Sequence, residues 1–435
     1  MTQSSDQPSS AEPEVAASRA GTSNPGAPRP APAEDDRDAV TVMVPAGGGG
    51  TPVEAAAQAA VPAEPATPVE PAAQIDPATQ AELAAPVEPA ARVETAGEAV
   101  PVSRFPQAEV EAFDPVSAEA AGVLVDHPDN PIPPGASAGY VMTEDGIRLR
   151  WAVFRPATAT PRGTVALFHG RAEFIERFFE TVRDLQVRGF VVATVDWRGQ
   201  GGSDRVIRNR RKGHVKHFSD YGTDLATFVE AVMIPQCPPP YFALGHSTAG
   251  LVLIQNAAEM KTRFRRYVLT APFLGLGDYG VPPALVRPLA AVFRTLLLRR
   301  AYVPAGTSGA IHCKPFKDNR LTSDERRYER NARLSYDMPD LAIGSPTVGW
   351  LSEALAAQDE VNDPKFLAAY RMPTLIIAAG ADEVVSTPAS ERFAHSTKAA
   401  DLLLLRGAKH EILQEADIHR EQFWAAFDAF VPGTP

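Results

Sequence analysis

The chain has 435 residues, 44% of them apolar, and a formal net charge of −11. Its two cysteines, Cys237 and Cys313, exclude a disulfide framework and supply no metal-ligand spacing. No run of about eighteen uncharged apolar residues occurs, so no transmembrane helix is expected. The first residues (Met1, Thr2, Gln3, Ser4, Ser5, Asp6) lack the basic and apolar regions of a signal peptide. The expected location is cytoplasmic, at most resting on the inner face of the cell membrane.

Residues 1–100 contain no Phe, Trp or Tyr and are dense in Ala, Pro and Glu. Such a segment cannot bury enough apolar surface to offset its ordering entropy, so residues 1–104 read as a disordered tail. It carries an imperfect repeat at Thr51-Pro52-Val53-Glu54, Thr67-Pro68-Val69-Glu70 and Ala85-Pro86-Val87-Glu88. Two readings stand for it: a tether or partner-binding arm, or a solubilising extension without a specific role. Residues 1–100 hold 15 acidic and 4 basic side chains, leaving 38 of each in the rest of the chain. The negative charge therefore belongs to the tail, and the folded part, 105–435, is free to approach anionic lipid.

Periodic segments begin near Phe105. Residues 140–144 and 147–154 read as two strands joined at Asp145-Gly146, a hairpin signal. A short apolar run at 164–169 ends in His169-Gly170. Residues 174–189 have helical spacing, with Phe174, Phe178, Val182 and Leu185 on one face and a closing glycine. Residues 190–195 are fully apolar, as a buried parallel strand requires. A helix is expected over 218–233, then a strand at 241–244 with a helix from about 251. Strands follow at 266–271, 373–379 and 401–405, and a helix over 418–430 closes the fold. Alternating strands and helices imply an α/β architecture, with a mostly parallel eight-stranded sheet, helices on both faces and an antiparallel first pair. Residues 273–365 interrupt the rhythm with amphipathic segments such as 285–300. So long an insertion reads as a helical cap over the carboxyl edge of the sheet, where open α/β sheets bind ligands.

The chemistry centres on Gly245-His246-Ser247-Thr248-Ala249-Gly250, set between an apolar strand and an apolar helix. Strand, sharp turn and helix with a serine at the apex make a nucleophile elbow, with Ala249 at the second glycine position of Gly-x-Ser-x-Gly. A serine is a weak nucleophile until a neutral imidazole accepts its proton, and the imidazole needs an acid to fix its tautomer. Asp382 and His410 follow two later strands, in the chain order Ser, Asp, His. Singly, Ser247 reads as an N-cap, Asp382 as a turn residue with Glu383 as a rival acid, and His410 as a loop or core histidine. Their coincidence at three strand ends, each in its expected place in the chain order, assigns the triad Ser247, Asp382 and His410. The developing oxyanion needs donors, for which the backbone N–H groups of Thr248 and Arg171 are the candidates.

Four segments carry a family likeness: 169–176 (His-Gly-Arg-Ala-Glu-Phe-Ile-Glu), 196–204 (Asp-Trp-Arg-Gly-Gln-Gly-Gly-Ser-Asp), 245–250, and 407–413 (Gly-Ala-Lys-His-Glu-Ile-Leu). Over roughly residues 135–432 the chain resembles the lysophospholipase and monoacylglycerol lipase branch of the α/β-hydrolase superfamily. That resemblance implies the same triad and oxyanion donors, hydrolysis of a single-chain acyl ester, and no metal or organic cofactor. The segment 196–204 reads as a structural loop beneath the site.

Residues 205–217 are rich in Arg, Lys and His, and Arg299-Arg300 follow Leu296, Leu297 and Leu298. These form either a surface that leans on anionic headgroups while leucines guide an acyl chain, or a solvated basic loop beside an ordinary amphipathic helix. Nucleic-acid binding is not expected, because no base-stacking module accompanies the charges. No feature of the sequence sets an oligomeric state. Three functions fit: a lysophospholipase or monoacylglycerol lipase; a small-ester or thioester hydrolase or acyltransferase; or a catalytically silent binding protein of the same fold.

Overall fold

The structure, a computed structural model, describes residues 120–278, 288, 298–310 and 314–432. The tail, its repeat, Cys313 and most of the segment 285–300 lie outside the described residues.

Eight strands form one sheet: β1 (Ala136–Met142), β2 (Arg148–Phe154), β3 (Thr164–Phe168), β4 (Val191–Val195), β5 (Tyr241–His246), β6 (Arg266–Thr270), β7 (Thr374–Ala379) and β8 (Ala400–Leu405). Their spatial order is β1-β2-β4-β3-β5-β6-β7-β8. β2 runs antiparallel to both neighbours, β1 and β4, and every other pairing is parallel. Every residue of β3, β4 and β7 is buried, and these segments are accordingly apolar except for one buried threonine in each, Thr164, Thr194 and Thr374. β8, at the edge, is half exposed.

The described helices are α1 (Phe179–Val187), α2 (Asp220–Phe228), α3 (Thr248–Gln255), α4 (Glu325–Asp337), α5 (Val348–Val361), α6 (Pro364–Ala369), α7 (Thr387–Ser396) and α8 (Asp417–Phe430), beside shorter turns. Several are started by side-chain caps: Asp324 accepts the Arg327 N–H, Thr347 that of Trp350 and Ser386 that of Ala389. α4, α5 and α6 lie in the interval between β6 and β7, where strand signals were missing.

Three expectations shift in detail. The helix over 174–189 divides into a 3₁₀ turn, Ile175–Phe178, and α1. The Ile175 N–H is drawn aside to the Asp196 carboxylate at 3.0 Å, which tightens the start. The helix over 218–233 passes from α2 into a π-helical stretch, Val229–Met233. The first hairpin is joined by residues 143–147, not by a two-residue turn, because Met142 pairs with Arg148. The Thr143 hydroxyl braces that loop against the Asp145 carboxylate and the Ile147 N–H.

The loop 196–204 ties the antiparallel edge to the parallel core through buried charges. Arg150 reaches Glu176 at 2.7 Å and Asp196 at 2.6 Å, and all three are nearly or fully enclosed. Burial alone would raise the Asp196 pKa, but Arg150, His169 and the Gly202 N–H hold it down to about 2. Such a network contributes little net stability when whole, and is costly to break because the remaining partner is an uncompensated buried charge. Arg150→Met is therefore expected to lower unfolding stability by about 3–5 kcal/mol, read from urea denaturation; a loss under about 1 kcal/mol would show that the carboxylates find other partners.

Candidate active site

Ser247 sits between β5 and α3 with φ 52° and ψ −113°, a conformation that non-glycine residues rarely adopt. The surroundings hold it there. Its N–H donates to the Thr270 carbonyl at 3.0 Å, and its carbonyl accepts the N–H groups of Gly250 at 2.9 Å and Phe273 at 3.0 Å. A Cβ on Gly245 would come within 2.6 Å of Leu253, and one on Gly250 within 2.6 Å of Pro272. Ala249, the departure from the elbow pattern, is 0% exposed and its methyl is accommodated. The close approach after the nucleophile falls one residue later, on Gly250.

The loops after β7 and β8 bring two more groups to the same edge. His410 Nε2 lies 3.0 Å from Ser247 Oγ, and His410 Nδ1 lies 2.8 Å from Asp382 Oδ2. An ionised carboxylate only accepts, so Nδ1–H donates to Asp382 and Nε2 is left to accept from the serine hydroxyl. The other Asp382 oxygen accepts the N–H groups of Val384 at 2.8 Å and Val385 at 2.9 Å. Glu383, the rival acid, instead pairs with exposed Arg320 at 3.1 Å.

Burial favours neutral forms at both titrating groups, yet their partners win. Asp382 is held below the usual carboxylate range by His410 and by the two backbone N–H groups. The His410 pKa is raised, because Asp382, Glu411 and Glu173 together outweigh burial. Neighbouring His246, its ring 4.8 Å from that of His410, goes the other way: burial lowers its pKa. It therefore stays neutral beside the candidate base.

The two candidate oxyanion donors stand in the expected elements. Thr248 opens α3, so its N–H belongs to the helix start, where no intrahelical acceptor exists. Arg171 lies in loop 169–173, which packs against the nucleophile: a Cβ on Gly170 would be 3.1 Å from Ser247 Cβ. The Arg171 guanidinium donates to the Gly344 carbonyl at 2.9 Å, joining this loop to the segment before α5.

Two side chains that brace this loop, one within it and one outside, escaped the sequence reading. Glu173 accepts the Gly170 N–H at 2.5 Å, and buried Gln200 accepts the Ala172 N–H at 2.6 Å. Ala172 has φ 64°, so both bonds stabilise an unfavourable backbone. The available signal was an acid, Glu173, placed directly before the apolar pair Phe174-Ile175. Among the described residues, no group of three or more His, Cys, Asp or Glu is placed to hold a metal ion.

The raised His410 pKa has a kinetic sign. Only the neutral imidazole accepts the serine proton, so activity is lost as pH falls through a pKa above the ordinary value of about 6.5. Glu411→Gln removes one of the charges that raise it. The acid limb of kcat/KM is then expected to move to lower pH; an unmoved or rising limb would contradict this account.

The sequence profile described as serine aminopeptidase, S33, matches residues 159–417. Lysophospholipase L2 of Escherichia coli K12 is 32% identical over 283 residues, covering 63% of this chain and 82% of that protein. A monoacylglycerol lipase of Mycolicibacterium smegmatis is 24% identical over 274 residues, covering 62% of this chain and 89% of its own. Among solved structures, a soluble variant of monoglyceride lipase from Saccharomyces cerevisiae superposes with a TM-score of 0.54 at 19% identity, covering 67% of this chain and 94% of that one. That likeness is one of fold. With its eight-stranded sheet and inserted helices, the chain belongs to the serine aminopeptidase S33 family of α/β hydrolases, in the branch that includes lysophospholipases L2 and monoacylglycerol lipases.

Proposed function

We propose that this protein is a serine hydrolase that cleaves the acyl ester of a single-chain lipid, a lysophospholipid or a monoacylglycerol. The observation that carries the reading is the continuous hydrogen-bonded path from Ser247 Oγ through His410 to Asp382, at 3.0 and 2.8 Å. Family membership and the names of the relatives supply the substrate class.

In the proposed reaction Ser247 Oγ attacks the ester carbonyl while His410 Nε2 takes its proton. The resulting oxyanion is held by the N–H groups of Thr248 and Arg171. Collapse breaks the bond to the alcohol, which leaves with the proton from His410, and an acyl-serine remains. Water then attacks, again deprotonated by His410, and fatty acid is released. Asp382 stays ionised and steadies the imidazolium. The described part of the insertion 273–365 is assigned to the cap under which the acyl chain lies.

Membrane contact belongs to the same proposal. In the basic stretch, Arg205 is turned inward, donating to the Gly201, Ser203 and Asp340 carbonyls. Arg208, Arg210, Lys216 and Arg300 are exposed. The stretch is hydrogen-bonded to the segment before α5: the Gly213 N–H donates to Ser345, and the Thr347 N–H to Gly213. Those exposed cations thus sit on the structure that Arg171 joins to loop 169–173, a suitable place for anionic headgroups. Leu298–Arg300 form a turn, and Leu296 and Leu297 lie outside the described residues. No helix among the described residues is long and apolar enough to cross a membrane.

Two experiments test this. A fluorophosphonate is expected to label Ser247, and Ser247→Ala to lose at least about 10³-fold in fatty-acid release from lysophosphatidylcholine and monoacylglycerol while keeping its fold. Turnover of short esters or aminoacyl anilides, with none of either lipid, would move the protein to another substrate class; wild-type activity in Ser247→Ala would end the assignment. For the membrane, phosphatidylglycerol-containing vesicles are expected to bind the protein more tightly than phosphatidylcholine vesicles. Replacing Arg208, Arg210, Lys216 and Arg300 by Gln should weaken that binding by up to about 10³-fold, at about 1 kcal/mol for each of the four charges. Equal partitioning onto both vesicle types would remove the headgroup reading.

A further inference from the structure

The loop that carries His410 runs between two walls. One is the segment following the oxyanion loop: Arg177 Nη2 donates to Glu411 Oε1 at 2.9 Å, and Gln414 Nε2 donates to the Arg177 carbonyl at 3.0 Å. The other wall is the insertion between β6 and β7. The Glu411 N–H donates to the Leu321 carbonyl at 2.7 Å, the Thr322 hydroxyl to the Gln414 carbonyl at 2.8 Å, and Lys409 Nζ to the Asn319 carbonyl at 3.0 Å.

Between the histidine loop and this second wall lies the Glu415 carboxylate, which belongs to the loop itself and is 0% exposed. Its Oε1 accepts the Lys409 N–H at 2.7 Å. Its Oε2 accepts the N–H groups of Ser323 at 3.0 Å and Ala416 at 2.9 Å, and the Ser323 hydroxyl. An enclosed anion is tolerated where several donors meet it, and charge-assisted bonds of this kind localise the backbone that makes them. Lys409 is joined by its peptide bond to His410. One carboxylate therefore holds the insertion and the backbone directly before the histidine.

A cover that only opened and closed over substrate would have no need to tie its own backbone to the loop bearing the base. On the serine-hydrolase reading given above, we infer that Glu415 is a positioning residue. Through it, residues 319–323 of the insertion keep His410 in register with Ser247. The insertion is then part of the mounting of the base as well as a roof over the acyl chain. Misplacing a reacting group by about 1 Å costs on the order of 10²-fold in rate, so a small release of this clasp is readable.

The test uses the full chain and a small substrate that needs no roof. Glu415→Gln keeps the shape but, with its oxygen toward Ser323, sets an amide donor against the Lys409 N–H. Its rate of inactivation by a small fluorophosphonate and its kcat for p-nitrophenyl acetate are expected to fall about tenfold to a hundredfold, with KM for that ester little changed. The pair Thr322→Val and Ser323→Ala, which leaves the Lys409 bond in place, should lose less. Thr322→Ser with Ser323→Thr, which keeps both hydroxyls, should stay close to wild type. A folded Glu415→Gln protein that reacts with the probe at the wild-type rate overturns the inference. So does a loss confined to KM for long-chain esters, which places the clasp in lipid binding alone. If Glu415→Gln does not fold, the Val/Ala pair decides by the same two criteria. Failure of the wild type to label on Ser247 sinks the serine-hydrolase reading and the clasp together, whereas labelled wild type with unaffected variants sinks the clasp alone.

Discussion

The arrangement depends on one backbone conformation, the left-handed Ser247 at the end of β5. That conformation is unfavourable for a residue with a Cβ and persists only where the surroundings over-determine it. Here β6 supplies the acceptor at Thr270, the turn after β6 supplies the Phe273 donor, and Pro272 packs against Gly250. The strain is therefore held by the parallel pairing of β5 with β6. In return, the hydroxyl is lifted off the sheet edge toward the His410 ring.

The same edge concentrates negative charge. Asp382, Glu173 and Glu411 all bear on His410, and the Arg177 guanidinium lies 2.9 Å from Glu411 and 3.8 Å from Glu173. In a site this enclosed, opposed charges act through a low dielectric and are strong. Their joint effect favours the imidazolium, the form that exists while the tetrahedral intermediate stands. A base tuned this way keeps its proton to higher pH than a free imidazole does. It therefore gives up some ground-state readiness for stabilisation of the charge that develops in the reaction.

Much of this could be read from the chain. The later strands were visible because parallel strands covered on both faces are largely apolar, and the first pair was visible from its hairpin signal; the spatial order, in which β4 lies between β2 and β3, was not read from the chain. Ser247, Asp382 and His410 were visible because each follows a strand, and carboxyl ends of parallel strands share an edge. What stayed hidden depends on partners far along the chain. Gln200 acts on Ala172, 28 residues away, and Glu415 on Ser323, 92 residues away. Neither residue differs in local pattern from an ordinary surface amide or acid. The choice between Asp382 and Glu383 was likewise open, since adjacent carboxylates differ only in direction; the turn that offers Asp382 two N–H groups turns Glu383 out to Arg320.

The insertion changes meaning once its hydrogen bonds are followed. In sequence it is an interruption between two strands, and an interruption suggests an accessory. In the structure its contacts divide between two sides of the site. Gly344 takes the Arg171 guanidinium on the side of the oxyanion loop, and residues 319–323 bind the histidine loop on the other. The sheet alone fixes where the three loops begin. It does not fix their tips, which extend beyond the strand ends and have no ladder to hold them. An element that reaches both tips can set the distance between oxyanion donor and base, a distance the sheet controls only loosely. On the function proposed above, the segment that covers the site also helps to hold the loop bearing His410, so changes in it act on catalytic geometry as well as on substrate access.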